Sequence, residues 1–274
     1  MKKLFYFLLP LLLFATFSFK LFDSIQAKKK SDKKTETISL PKEDVIPKKA
    51  PKIKYAIFDI CQAFWKKSLY ELIHSFQKEK GNVSLSYYFK IVKYGVAYGL
   101  GTLDPKKAYE DFLSFCKGSS EQEIKKYSTL IWERECKNFV FKEAKKYFDE
   151  CKRKGMKIIL AEAGMKELYA DFLKSYSFDY VCATELEFKD GVVTGKLIGE
   201  PCSGQEKLRK VKEVIEKKLG GALKEAVFYA NSHNDIPLLN EVGRQVVVNP
   251  TSKLSQYAKN KKWPILNFKE VIKG

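Results

Sequence analysis

The stretch Ala226-Val-Phe-Tyr-Ala-Asn-Ser-His-Asn-Asp-Ile-Pro-Leu-Leu-Asn-Glu-Val-Gly-Arg-Gln-Val-Val-Val248 reads as three pieces in a fixed order. Ala226–Ala230 is a short apolar run of the kind that fills a central strand, Ile236–Val242 carries helical spacing, and Gln245–Val248 is a second apolar run. Strand, helix, strand with short polar joints is the repeat of a parallel sheet. The polar joint Asn231–Asp235 falls at the carboxyl end of its strand, where open α/β sheets place their ligands.

The same alternation continues in both directions. Upstream, Lys54-Tyr-Ala-Ile-Phe-Asp59, Gly155-Met-Lys-Ile-Ile-Leu-Ala161 and Tyr180-Val-Cys-Ala183 read as buried strands. Gln205–Leu219 reads as an amphipathic helix, and Glu185–Leu197 as a hairpin turning at Asp190-Gly191. Downstream, a helical stretch covers Lys253–Lys261. Residues from about Leu69 to Lys154 are helical almost throughout, with breaks at Gly101–Pro105 and Lys117–Ser120; Ser119 or Ser120 followed by Glu121 and Glu123 marks a helix start. The expectation is α/β: an open, parallel, Rossmann-like sheet with helices on both faces. A helical cap insert over residues 67–154 divides the core into 53–66 and 155–274. The strand ends bring Asp59, Cys61, Glu162, Lys207 and Asn231–Asp235 forward as the residues to inspect.

Composition narrows the rest. Of 274 residues, 45% are hydrophobic and 31% charged, the profile of a globular chain rather than a disordered one. The net charge of +18 excludes an acidic-tail protein and admits an anionic partner. No nucleic-acid motif accompanies it. Six cysteines form no C-x-x-C pair and only two histidines are present, His74 and His233, so neither a zinc site nor a disulfide framework is expected.

The amino end is different in kind. After Lys2 and Lys3, sixteen residues from Leu4 to Phe19 carry no charge, and Lys20 interrupts before Leu21-Phe22. Residues 1–27 read as an N-terminal hydrophobic helix that anchors the chain in a membrane once, with the lysines that follow favouring a cytoplasmic domain. A cleaved secretory signal ending at Ile25-Gln26-Ala27, and hence an exported domain, is the alternative. Residues 28–52 are a Lys-rich linker, and Lys28–Lys54 holds ten lysines against four acids.

Taken in order, these segments resemble the haloacid dehalogenase-like superfamily, in its phosphoserine-phosphatase-like branch with a small helical cap. The resemblance rests most on Ala230–Gly243 with Val246–Pro250 and Trp263–Phe268, and next on Glu185–Lys207. It implies phosphoryl transfer through an aspartyl-phosphate. Asp59 matches the nucleophile, Lys207 the phosphate-binding lysine, and Asp235 one metal-binding acid; the family's Mg2+ would sit between Asp59 and the last motif. Three positions depart from the pattern: Cys61 stands where a proton-transferring Asp belongs, Glu162 where a phosphate-binding Ser or Thr belongs, and Asn231 where a metal-binding Asp belongs. A thiol of ordinary pKa about 8.5 is a poor acid-base group for this chemistry, Asn231 removes a hard anionic ligand for magnesium, and a carboxylate at position 162 repels an incoming phosphate. Pairing of Glu162 with Lys207 would fill the phosphate pocket from inside. The resemblance with these changes implies a pseudo-phosphatase that binds a phosphorylated small molecule or a protein partner at the membrane. The alternative is a slow magnesium-dependent phosphomonoesterase acting through Asp59.

Overall fold

The computed structural model describes residues 52–100 and 102–272. The expected anchor and most of the expected linker, residues 1–51, lie outside the described residues. Among the described residues no helix is long and apolar enough to cross a membrane.

The chain enters the sheet at β1 (Tyr55–Phe58), all four residues buried. Four helices follow: α1 (Leu69–Glu79), α2 (Leu85–Leu100), α3 (Pro105–Leu113) and α4 (Glu121–Ile131). Their starts are written locally. Ser68 and Ser120 each close a capping box with Glu71 and Glu123, and Asp104 caps α3 ahead of Pro105. The next elements are α5 (Lys142–Arg153), β2 (Lys157–Met165), α6 (Ala170–Ser175), β3 (Tyr180–Thr184), the hairpin β4 (Leu186–Lys189) and β5 (Val192–Leu197), and α7 (Gly204–Lys212) with a wider π turn to Lys218. The chain closes with β6 (Ala226–Ala230), α8 (Ile236–Glu241), β7 (Arg244–Val248), α9 (Ser252–Asn260) and β8 (Ile265–Leu266). The described residues divide into two units, one holding Ser84–Thr102 with helix α2 and the other the remaining described residues.

Six strands pair in parallel in the order β3-β2-β1-β6-β7-β8, so the chain winds one way from β1 and then the other. Alternation along β1 divides the core between the two faces. Ala56 and Phe58 point into a cluster with Phe76 of α1, Ile124 of α4, Phe148 of α5 and Phe172 of α6, while Tyr55 and Ile57 join Val211 of α7, Leu238 of α8 and Leu254 of α9. Helices thus cover both faces, as the sequence implied. Phe58 stacks on Tyr229 with ring centroids 4.6 Å apart and meets Phe148 at 5.6 Å, ring contacts of about 0.5–1.5 kcal/mol each beyond the burial itself.

The strand β2 runs further than expected, to Met165 rather than Ala161, and its register against β3 shifts between Ala161 and Met165. Glu162 sits inside that irregularity. The amphipathic stretch Gln205–Leu219 is α-helical only to Lys212 before it widens.

Candidate active site

Three carboxyl ends meet at the middle of the sheet, and the residues singled out from the sequence come together there. Asp59 follows β1, and its amide donates to Tyr229 O of the neighbouring β6 at 3.0 Å, which carries the pairing one residue beyond the strand. The chain then turns sharply. The amides of Ala63, Phe64 and Trp65 all donate to Ile60 O, and Gln62 takes a left-handed φ of 61°, with its carbonyl accepting from Asn249 Nδ2 at 3.2 Å. Their effect is to leave the amides of Ile60 and Cys61 free of the turn's own hydrogen bonds, pointing toward β2.

Glu162 takes those amides. Its Oε2 accepts from Ile60 N at 3.0 Å and Cys61 N at 3.1 Å, and its Oε1 accepts from Gly164 N at 3.0 Å. The side chain is 2% exposed, so these three N–H donors replace water around a buried carboxylate group. Converging backbone amides of this kind form an anion cradle. Gly164 is required by its surroundings: a Cβ there would lie 1.9 Å from Tyr169 Oη.

Lys207, on the first turn of α7, is likewise buried, and its Nζ donates to Asp235 Oδ1 at 2.5 Å and to Asp59 Oδ1 at 3.2 Å. The expected pairing of Glu162 with Lys207 is therefore corrected: the ammonium bridges the two aspartates, and the glutamate is held by main-chain donors instead. The reason is reach along the strand ends, since Glu162 and the β1 turn lie on adjacent strands while Lys207 comes from the layer of α7. Asp235 Oδ2 accepts from Ser232 N at 3.2 Å, so a short capping turn fixes the second aspartate.

The charges explain the protonation behaviour. Burial pushes the Asp59 carboxyl well above the usual carboxylate range; Lys207 opposes this, while Asp235 and Glu162 add to it. Three acids and a single ammonium are buried close together, and a carboxyl that gives up its charge relieves the excess. Burial, then Glu162 and Asp59, raise the Cys61 thiol well above its ordinary value, and its Sγ lies 3.9 Å from Tyr169 Oη. It is held as a neutral thiol.

Asn231 is half-buried at the end of β6, and its carbonyl accepts from Thr251 N at 2.9 Å. Among the described residues no group of three or more His, Cys, Asp or Glu side chains is arranged so that it could hold a metal ion. Asp59 and Asp235 are bridged by an ammonium, Glu162 is taken up by main-chain amides, and the remaining position, Asn231, is an amide. This donor set does not fit a divalent cation. His233 is half-buried beside Asp235 with its imidazole pushed down mainly by burial, and His74 stacks on Tyr70 at 6.0 Å within α1.

Sequence reasoning missed two aromatic neighbours. Tyr169, fully buried after β2, packs on Gly164 and Cys61. Tyr109, from α3, feels the same cluster: burial, then Glu162 and Cys61, raise its hydroxyl. Neither belongs to a motif, and only the small residue Gly164, two places after Glu162, hinted that something large comes close.

Residues 63–240 match the haloacid dehalogenase-like hydrolase family, a span that begins beyond Asp59 and Cys61 and contains Glu162, Lys207, Asn231 and Asp235. The chain belongs to this family. Within it, the phosphoserine-phosphatase-like branch is where the likeness lies. A phosphoserine phosphatase of Mycobacterium tuberculosis is 32% identical over 115 residues, covering 42% of this chain and 37% of that protein. A histidinol-phosphatase of Neisseria meningitidis is 39% identical over 93 residues, covering 32% of this chain and 41% of that one. This family member thus spans about two fifths of the length of those curated relatives. Among solved structures, a protein of unknown function from Bordetella pertussis superposes with a TM-score of 0.71 at 21% identity, over 78% of this chain and 98% of that one. The phospho-aspartyl intermediate analogue of a phosphoserine phosphatase superposes at 0.58 and 20% identity, over 80% and 95%. At such identities these structures share the fold.

Proposed function

We propose that this domain is a catalytically disabled member of its family, a pseudo-phosphatase that keeps its own carboxylate in the anion cradle and works by binding a phosphorylated small molecule or a protein partner. One observation carries the reading: the amides of Ile60, Cys61 and Gly164 are all spent on Glu162. A phosphate arriving at the cradle meets a filled site and a like charge. At 4 Å and an effective dielectric near 20, that repulsion is about 4 kcal/mol.

Two further features act in the same direction. An Asp59 that burial holds toward the neutral form is a weak nucleophile, because attack on phosphorus needs the carboxylate. A Cys61 thiol kept neutral neither donates a proton readily to a leaving alkoxide nor activates water near neutrality, a loss of about 100- to 10,000-fold where general acid-base catalysis operates. The domain is held at a membrane by residues 1–27, on the strength of the uncharged run Leu4–Phe19.

The test is release of orthophosphate from a panel of phosphomonoesters, with and without magnesium. The expected result is none above background for the natural sequence, and magnesium-dependent turnover for the triple variant Cys61→Asp, Glu162→Ser, Asn231→Asp, abolished again by Asp59→Asn. Turnover by the natural sequence that disappears in Asp59→Asn would instead establish a slow phosphomonoesterase using an aspartyl-phosphate.

A further inference from the structure

Five of the seven large apolar side chains that stand exposed among the described residues lie on one helix, α2: Leu85, Phe89, Val92, Val96 and Leu100. At about 100° per residue they fall in a stripe about 80° wide, while the buried Tyr87, Ile91 and Tyr94 occupy the opposite side. The helix is thus apolar on the face it buries and apolar again on the face it shows. Isolated exposed apolar residues are ordinary, whereas a contiguous row marks a surface that something covers.

The charge beside the row says what kind of surface. Lys93 is exposed and falls about 20° beyond the stripe, with Lys90 further round the same side. Between Glu79 and Asp104 the chain carries no acidic residue at all. An apolar row with lysines along one side and no acids is the pattern of a helix lying in the interface of an anionic bilayer, apolar side chains among the upper acyl groups and ammonium groups among the phosphates. With 16 residues at 1.5 Å each, α2 is about 24 Å long, short of the roughly 30 Å needed to span. It lies on the membrane rather than through it.

The chain outside the described residues points to the same occupant. Leu4–Phe19 is uncharged, and the 25 residues of 28–52 between the expected anchor and β1 reach at most about 90 Å when fully extended. A chain anchored at residues 1–27 would therefore keep the residues that follow the linker tethered to the bilayer. We infer that the row Leu85, Phe89, Val92, Val96 and Leu100 of α2 is a membrane-docking surface for anionic lipid, formed by none of the residues of the carboxylate-filled cradle.

The experiment uses the full chain with an environment-sensitive dye on Val92→Cys or Val96→Cys, reconstituted in vesicles of phosphatidylglycerol and phosphatidylcholine. All six natural cysteines are buried, so the introduced thiol is the one that labels. Lys217→Cys, on the exposed side of the turn after α7, serves as control. Dyes at 92 and 96 are expected to shift to the blue and to be quenched by brominated acyl chains, more strongly as the phosphatidylglycerol fraction rises, with neither effect at 217. Phe89→Glu with Val96→Glu should remove the quenching at 92 while circular dichroism stays unchanged. Water-like emission at both positions overturns the inference. So does a blue shift that brominated lipid does not quench, which would identify a protein occupant, either a second copy or the chain's own amino-terminal segment. Should the double variant not fold, the quenching at 92 and 96 in the otherwise natural chain decides alone.

Discussion

Glu162 and Lys207 divide the work of keeping a charged cluster inside a protein, one by main-chain hydrogen bonds and the other by pairing with two acids. Each is testable by itself. Glu162→Ala leaves three amides without their acceptor, so the variant should bind orthophosphate in a calorimetric titration in which the natural sequence is silent; a silent variant would show that the amides alone do not make an anion site. Lys207→Met leaves Asp59 and Asp235 facing each other without a cation, which should cost about 3–5 kcal/mol in urea unfolding. The pH dependence follows from Asp59. Its folded-state pKa is raised, so the folded chain holds its proton more tightly than the unfolded chain does. That contribution to stability is complete below the ordinary carboxylate value of about 3.9 and is lost as pH climbs through the raised value. Asp59→Asn removes the titration, so the variant should gain on the natural sequence in urea midpoint between pH 5 and pH 8; equal slopes would contradict the raised pKa.

The turn after β1 and the irregular end of β2 matter as a pair, because together they aim three amides at one point. Gly164 is where they touch the surrounding helices, and its missing side chain makes room for Tyr169 Oη. Gly164→Ala is expected to destabilise by about 1–3 kcal/mol through overpacking. Adding Tyr169→Phe should restore part of the loss in thermal melts by removing the nearest atom, though Tyr169 Cζ at 2.8 Å remains close. If the second substitution restores nothing, the collision is not what limits the site. The secondary structure around this pair was largely legible in the chain: Ser120 announces its helix, and Ala226–Ala230 is a strand with the bounds its apolar run suggests. The extension of β2 to Met165 was not, since Glu162, Ala163 and Gly164 carry no strand pattern and are held by neighbours distant in sequence.

For the molecule as a whole, burial of all six cysteines predicts that a thiol reagent titrates fewer than one group per chain under native conditions and all six after denaturation; rapid native reaction would mean that the core opens. The order β3-β2-β1-β6-β7-β8 and the covering of both faces follow from alternating apolar runs and helical stretches, because parallel strands need crossovers and crossovers bring helices. The sequence by itself determined the α/β class, the helical insert, and which residues reach the carboxyl edge of the sheet: Asp59, Cys61, Glu162, Lys207, Asn231 and Asp235. Only the tertiary structure decided how they pair. Residue types show that acids and a lysine share an edge, but whether a carboxylate finds an ammonium or a set of amides depends on backbone direction and side-chain reach to within an ångström, and these are fixed by packing between segments more than a hundred residues apart.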